Sequence, residues 1–211
     1  MTATQTPARR GRLFVIAAPS GAGKTSLVKA LVERRPELRV SISHTTRKKR
    51  PTEEHGREYF FVSVPEFEEL VARGQFLEHA RVFDNYYGTS RETVEKLLAE
   101  GNDVILEIDW QGARQVRAAM PECKTIFILP PSRDALEKRL RGRGTDSEEV
   151  IARRLRDAVG DMSHWNEFDY VVVNDDFERA VEDLVRIVEG RGAPLDAHRP
   201  ELKPLLDELL A

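Results

Sequence analysis

The sequence has a single cysteine, Cys123, among its 211 residues. An internal disulfide is therefore excluded, and the absence of a cleavable apolar leader adds to the expectation of a reducing, cytoplasmic compartment. No apolar run approaches the roughly 18 residues that a membrane-spanning helix needs. An excess of one charge is also missing, because 33 basic side chains are matched by 36 acidic ones. No global field favours nucleic acid, so any basic site must be local.

What the sequence does contain is the balance of a soluble globular protein, with 40% hydrophobic and 33% charged residues. Its length predicts one domain, with room for inserted subdomains. Short apolar runs typical of buried strands alternate with stretches of helical spacing. The predicted strands are 13–17, 40–43, 59–62, 103–109, 124–129 and 169–173, and the predicted helices are 26–35, 93–100, 111–120, 133–141 and 177–189. This alternation predicts an α/β fold with a parallel sheet flanked by helices and ligands at the carboxyl ends of the strands.

Two stretches interrupt the alternation. Residues 42–92 form a mixed, polar and aromatic insertion, and residues 142–164 form a Gly-Arg turn that leads into an arginine-bearing helix. Capping-box spacing marks two helix starts, Ser63 with Glu66 and Thr145 with Glu148. The tail from Gly192 onward is predicted to be a linker followed by a short amphipathic helix that packs on the body.

The stretch APSGAGKTS, residues 18–26, follows the first predicted strand and opens a helix. It matches the phosphate-binding pattern GxxxxGK[ST] except that Ala18 replaces the first glycine. Glycines allow successive backbone N–H groups to turn towards phosphate oxygens, Lys24 supplies a point charge, and the Thr25 hydroxyl can bind Mg²⁺. The alternative is a glycine-rich turn that happens to carry a lysine. The predicted ATP-binding residues here are Ala18, Pro19, Ser20, Gly21, Ala22, Gly23, Lys24, Thr25 and Ser26.

A second Mg²⁺ ligand is expected at the end of a neighbouring strand, and Asp109 ends the predicted strand 103–109. Glu107 lies two residues earlier and therefore points to the same sheet face. Asp109 could instead cap the following helix, or do both. The sequence thus predicts bound ATP with Mg²⁺, with Thr25 and Asp109 as the metal ligands.

Hydroxyl groups and guanidinium groups are concentrated between residues 43 and 59. Arginine forks and hydroxyls are suited to holding a phosphate monoester. The alternative interpretation of such a basic run is a solvated surface.

Several further motifs, in this order along the chain, complete a pattern that resembles guanylate kinase. They are SxSHTTRxxR at 41–50, EEHGxEYFFVS at 53–63, FLEHA at 76–80, NYYGT at 85–89, EIDWQG at 107–112, PPS at 130–132, RLRGRGTDSEE at 139–149 and VVND at 172–175. The resemblance covers residues 12–190, and some guanylate kinases also carry alanine at the position of Ala18. It implies a P-loop NTPase-type core (12–41, 93–134 and 166–190), an inserted GMP-binding subdomain (42–92), a helical lid (135–165) and a tail (192–211) within one domain, 1–211.

The resemblance also implies the reaction, Mg²⁺-dependent transfer of a phosphoryl group from ATP to GMP, and also to dGMP, for purine nucleotide metabolism. The implied holders of the GMP phosphate are Arg47, Arg50, Tyr59 and Tyr87, and the implied guanine-binding residues are Ser43, Glu78 and Thr89, with Asp109 close to the base. The implied catalytic residues are Lys24, Arg47 and the lid arginines Arg139, Arg143 and Arg154, while Asn174 would lie near the adenine. Thr89 departs from the serine common in the family but keeps its hydroxyl.

Alternatives remain for several of these residues. Glu78 could be a surface acid, and Asn174 or Asp175 could cap the helix before Phe177. Arginines of the lid could form salt bridges on a helix surface, which is the expectation for Arg141, Arg153 and Arg156. A non-catalytic scaffold module and a kinase for another acceptor are the rival functions. The expected partners are ATP and GMP or dGMP, with neither nucleic acid nor a membrane; monomer and homo-oligomer stay open.

Overall fold

A computed structural model describes residues 9–82, 84–142 and 147–211 of the chain. The strands are β1 Leu13–Ala17, β2 Arg39–Val40, β3 His44–Thr45, β4 Phe60–Phe61, β5 Phe76–Val82, β6 Asn85–Ser90, β7 Val104–Glu107, β8 Lys124–Leu129 and β9 Tyr170–Val173. The α-helices are α1 Lys24–Arg34, α2 Val64–Ala72, α3 Arg91–Ala99, α4 Trp110–Ala119, α5 Arg133–Arg141, α6 Glu148–Met162, α7 Phe177–Val188 and α8 Lys203–Leu209. The predicted alternation of strands and helices is confirmed.

A five-stranded sheet has the order β2-β7-β1-β8-β9. Pairing is parallel between β2 and β7 and between β8 and β9. All five residues of β1 and the last five of β8 are buried. Strands covered on both faces need apolar side chains at every position, which is why their sequences are continuous apolar runs rather than alternating ones. The predicted parallel core flanked by helices is therefore confirmed.

A second, four-stranded sheet has the order β4-β3-β6-β5 and lies within the predicted insertion. Here β3 pairs parallel with β4 and antiparallel with β6, and β6 pairs antiparallel with β5. The helix α2 covers one face, since buried Phe67 stacks on Phe76 of β5 with ring centroids 4.7 Å apart. It begins with the predicted capping box, in which the Ser63 N–H donates to Glu66 over 2.7 Å.

Four strand predictions were too long: 59–62 exceeds β4 by one residue at each end, 169–173 exceeds β9 by one residue at its start, and the other two differ more. The predicted strand 40–43 ends at Val40, although the Ser41 N–H still donates to the Ile105 carbonyl over 3.0 Å. The chain leaves the first sheet here in order to start β3 at His44. The predicted strand 103–109 is shorter at both ends, because Asp103 accepts from the Arg12 backbone N–H over 2.7 Å and α4 begins at Trp110.

The N-caps of two helices are residues that the sequence analysis did not name. The N-cap of α6 is Ser147, whose side chain accepts from the Val150 N–H; Thr145 itself lies outside the described residues. The N-cap of α7 is Asp176, which accepts from the Arg179 N–H over 2.8 Å, so neither Asn174 nor Asp175 caps that helix.

The tail forms the predicted short helix, α8, and packs on the body. Leu206 and Leu209 are buried, and the Arg133 Nε donates to the Leu209 carbonyl over 3.0 Å. Within the described residues, no helix combines the length and the apolar character that crossing a membrane requires.

Two compact units can be distinguished within the chain. The first comprises residues up to Phe14, Glu37–Leu106 and Gln111–Cys123, and the second comprises Val15–Pro36, Glu107–Trp110 and Lys124–Ala211. The four-stranded sheet belongs to the first unit and the predicted phosphate loop to the second.

Candidate functional site

The predicted phosphate loop, residues 18–23, connects β1 directly to α1 in the second unit. Gly21 and Gly23 have φ angles of 89° and 95°, in the left-handed region that other residues rarely adopt. A Cβ at Gly21 would lie 2.9 Å from a Leu140 methyl group, and one at Gly23 would lie 2.5 Å from the Asn174 amide nitrogen. Both positions therefore require glycine, whereas Ala18 directly follows the strand at the entrance to the loop.

The start of α1 is suited to an anion. Its N-cap is Gly23, and no side chain caps it through a hydrogen bond. The first backbone N–H groups of a helix have no partner within the helix, and the helix dipole places positive potential at the same end. Phosphate groups bind at such ends.

Two side chains of the first turn of α1 contact the carboxyl end of β7. The Lys24 ammonium donates to the Ile108 carbonyl over 2.9 Å, and the Thr25 hydroxyl donates to Glu107 Oε1 over 2.5 Å. The ammonium has three N–H donors, so this bond is compatible with contact to phosphate oxygens. A hydroxyl beside a carboxylate offers the oxygen ligands that Mg²⁺ prefers.

The acid bonded to Thr25 is Glu107, whereas the sequence prediction emphasised Asp109. Glu107 ends β7, while Asp109 lies two residues further on, immediately before α4 at Trp110. Asp109 thus occupies the position expected for a helix cap, and it lies beyond the strand that was predicted to end there. The sequence signal that pointed to Glu107 as a site residue was its spacing of two positions from Asp109.

Asn174 contacts the phosphate loop. Its side chain amide donates to the Ala22 carbonyl over 2.8 Å, and its own carbonyl accepts from Arg139 over 2.8 Å. Arg139 is therefore positioned beside the loop by α5. Arg154 lies half-buried in α6, and the third predicted lid arginine, Arg143, lies outside the described residues.

A cluster that sequence reasoning missed joins the start of α4 to the end of α6. The Trp110 indole stacks on the His164 ring with centroids 3.5 Å apart and donates to Asp161 over 3.1 Å. Burial is the main cause that raises the pKa of Asp161 to about 6. Asp161 in α6 and His164 just after it thus contact Trp110, the residue that follows Asp109.

In the first unit, the register of the four-stranded sheet places three of the predicted GMP-binding residues, Glu78, Tyr87 and Thr89, on one face. Thr45 pairs with Tyr87, and Glu78 pairs with Thr89. Side chains two residues apart on a strand share a face, so Tyr87 and Thr89 point the same way. Ser43 directly precedes β3, and its carbonyl accepts from the Phe60 N–H over 2.9 Å.

The pair Glu78 and Thr89 is buried. Their relative exposures are 3% and 0%, and the Thr89 hydroxyl donates to Glu78 Oε1 over 2.6 Å. The alternative that Glu78 is a surface acid is therefore wrong. A buried carboxylate is costly unless hydrogen-bond donors reach it, which makes this pair a candidate for recognising a ligand that supplies donors.

Arg47 is held in place from two sides. Glu53 binds its guanidinium in a bidentate pair over 2.7 and 3.0 Å, and Tyr59 lies beneath it with the guanidinium carbon 5.4 Å from the ring centroid. The Tyr59 and Tyr87 rings are 6.0 Å apart. This ion pair raises the pKa of Arg47 and lowers the pKa of Glu53. The predicted phosphate holders Arg47, Tyr59 and Tyr87 are thus brought together.

Glu53 is a site residue that sequence reasoning missed. It is 9% exposed, and it also accepts from the Arg50 N–H over 2.8 Å, while the Arg50 side chain itself is 67% exposed. The solvated-surface interpretation of the basic run holds for Lys48 and Lys49, which are exposed, but not for Arg47. The only available signal was an acid three residues after Arg50.

The comparisons with known proteins agree with this geometry. A family model described as guanylate kinase matches residues 10–191. The chain is 56% identical over 205 residues to a guanylate kinase of Chromohalobacter salexigens, covering 97% of this chain and 95% of that protein. It is 53% identical over 204 residues to a guanylate kinase of Escherichia coli, covering 96% and 99%. A crystal structure of guanylate kinase from Anaplasma phagocytophilum is similar with a TM-score of 0.73 at 32% identity, covering 94% of this chain and 95% of that one.

Fold, phosphate loop and relatives together define a nucleoside monophosphate kinase, a phosphotransferase built on the P-loop NTPase fold. Within that class, the chain belongs to the guanylate kinase family.

Proposed function

We propose that the protein transfers the γ-phosphoryl group of ATP to GMP, and also to dGMP, in a Mg²⁺-dependent reaction that yields ADP and GDP or dGDP. We place this reaction in cytoplasmic purine nucleotide metabolism. The observation that carries the choice of acceptor is the buried Glu78–Thr89 pair, on the same sheet as Arg47, Tyr59 and Tyr87.

The chemistry of guanine supports this choice. Guanine presents an N1 hydrogen and an exocyclic N2 amine as adjacent donors, which a carboxylate can accept together. The Thr89 hydroxyl already occupies one side of the Glu78 carboxylate and orients it. Adenine has no N1 hydrogen, so it cannot offer the carboxylate this pair of adjacent donors. Sites built on such hydrogen bonds discriminate by on the order of 10⁴.

The acceptor phosphate needs no general base. Its second pKa lies near 6, so its attacking oxygen is largely ionised at neutral pH. The protein then has to align two anionic groups and offset their charge. Arg47, supported by Glu53, and the more exposed Arg50 are assigned to the acceptor phosphate, and Lys24 and Arg139 to the donor. Arg143 and Arg154 are assigned to the transferring group.

Mg²⁺ is assigned to Thr25 and Asp109, with Glu107 as an additional acid because it already bonds the Thr25 hydroxyl. The ion would offset charge on the β and γ phosphates. The chain would hold this hydroxyl at the start of α1 and the two acids at and just after the end of β7, where their oxygens would ligate the ion.

The test is an ATP-coupled assay of purified protein across GMP, dGMP, AMP, CMP, UMP and dTMP, with and without a chelator. We expect GMP and dGMP to be phosphorylated and chelation to abolish turnover. The inactive control is Lys24→Ala; the matched control is Lys29→Ala on the same helix, whose side chain is 79% exposed. Preference for another monophosphate would refute the assigned acceptor, and turnover by Lys24→Ala equal to wild type would refute the assigned donor site.

A further inference from the structure

Asn174 lies directly after β9 and is 5% exposed. Its backbone N–H donates to the Leu129 carbonyl over 2.9 Å, so the residue is fixed to the end of β8. From there its side chain amide reaches the phosphate loop and donates to the Ala22 carbonyl over 2.8 Å. The end of the parallel sheet is thus connected to the middle of the loop by one buried amide.

The same residue limits the space around the loop. The Asn174 amide nitrogen stands 2.5 Å from the position of a Cβ at Gly23, so it packs directly against the residue that caps α1. Ala22 and Gly23 precede Lys24, and their peptide orientations determine where the first N–H groups of α1 point. A shift of the Ala22 carbonyl would rotate the next peptide N–H as well, because the peptide group is planar.

Arg139 is coupled to this arrangement. One nitrogen of its guanidinium, Nη2, donates to the Asn174 backbone carbonyl over 2.8 Å. Its other terminal nitrogen, Nη1, is buried and has no hydrogen-bond partner among the described residues. A buried donor without a partner is costly, so this guanidinium is suited to donating a hydrogen bond to an anionic oxygen at the loop.

We propose that Asn174 is a positioning residue for the polyphosphate chain of the donor: it fixes the phosphate loop at Ala22 and Arg139 beside it, and does not act through the nucleobase. This assignment differs from the adenine contact that the family resemblance implies, and the experiment below decides between the two. It rests on the proposed function only in taking a nucleoside triphosphate as the donor, and it is independent of the acceptor.

The decisive probe is a ligand that has the phosphates but no base. Binding of Mg²⁺·ADP and of Mg²⁺·tripolyphosphate is measured by calorimetry for the wild type, Asn174→Ala and Asn174→Leu. The leucine variant keeps the same branching and the same number of side-chain heavy atoms without polar atoms, so it helps to separate the lost hydrogen bond from lost packing. Asn166→Ala, at an exposed asparagine, is the matched control. Melting by circular dichroism verifies that each variant is folded.

We expect both Asn174 variants to lose affinity for ADP and for tripolyphosphate by the same factor, on the order of tenfold, since an unsatisfied buried carbonyl is left at Ala22. The KM for GMP should stay within about twofold of the wild type. In turnover, KM should rise equally for ATP and ITP as donors, which differ only in the base. A loss confined to ADP and ATP would overturn the proposal in favour of adenine contact, and a folded leucine variant with wild-type affinities would overturn it altogether. A wild type that phosphorylates an acceptor other than GMP would refute the proposed acceptor but leave these binding results unaffected.

Discussion

Replacing Glu53 by glutamine is the sharpest test of the acceptor phosphate site, because Glu53 acts through Arg47 and touches no predicted ligand directly. The carboxylate accepts two bonds from Arg47, over 2.7 and 3.0 Å, and one from the Arg50 N–H over 2.8 Å. Glutamine keeps one acceptor oxygen but turns NH₂ hydrogens towards the guanidinium, where donor would face donor.

The size of the effect follows from these three bonds. A hydrogen bond to a charged group contributes about 1.5–3 kcal/mol, and glutamine preserves part of the set. We therefore expect a net loss of about 2 kcal/mol in productive placement of Arg47, which corresponds to an approximately thirtyfold lower kcat/KM for GMP. The KM for ATP should not change, since Glu53 belongs to the first unit and the phosphate loop to the second.

The assay is steady-state kinetics with GMP and ATP varied separately, with Glu54→Gln as control because the Glu54 side chain is 68% exposed. Thermal melting of the wild type and the variant over a range of pH measures how much the ion pair contributes to stability. Arg47 lowers the folded-state pKa of Glu53, so the stabilisation by this carboxylate is present above its unfolded pKa and is lost as the pH falls through the lowered value. The glutamine variant should not show this loss of stability at acidic pH. An unchanged KM and kcat for GMP in a folded variant would refute the reasoning.

Three other substitutions probe the remaining parts of the site. Thr89→Val should lower kcat/KM for GMP by about ten- to a hundredfold because Glu78 loses a buried donor, while Thr89→Ser should stay within about threefold; acceptor kinetics distinguish them. Gly23→Ala should lose at least about tenfold in ATP affinity by calorimetry, since its φ of 95° costs about 1–2 kcal/mol and Asn174 blocks the added methyl. Asp161→Asn should stabilise the fold by about 1 kcal/mol at pH 8, a value reduced for partial exposure. Because the pKa of Asp161 is raised from 3.8 to about 6, wild-type stability falls as the pH rises through that interval, so urea unfolding should show no gain at pH 3. A gain that is equal at both pH values would contradict this explanation.

The parts of the fold that could be predicted are those where local sequence and burial agree. Residues 13–17 are apolar at every position and form a strand with those bounds, and residues 133–141 form a helix with those bounds. The hairpin of β5 and β6 mixes polar and apolar side chains and buries the polar Glu78, so its sequence does not alternate simply and did not predict two strands. Only the family motifs indicated its residues.

The features of the site that local sequence patterns did not show depend on contacts between distant residues or on unexpected burial. Asn174 meets Ala22, which is 152 positions away, and no local pattern encodes that contact. Glu53 sits within a charged run where solvated acids are the usual expectation, yet it is buried by its bidentate contact to Arg47. Asp109 was preferred to Glu107 as a metal ligand because the strand was predicted to end two residues later than it does.

The central claim is that the buried carboxylate of Glu78 selects guanine. Its most direct test is the ratio of kcat/KM for GMP to that for AMP, measured for the wild type and for Glu78→Gln. We expect a wild-type ratio on the order of 10⁴ that falls at least about tenfold in the variant, with the KM for ATP unchanged. A ratio that is the same in both proteins, or a wild type that prefers AMP, would contradict the account.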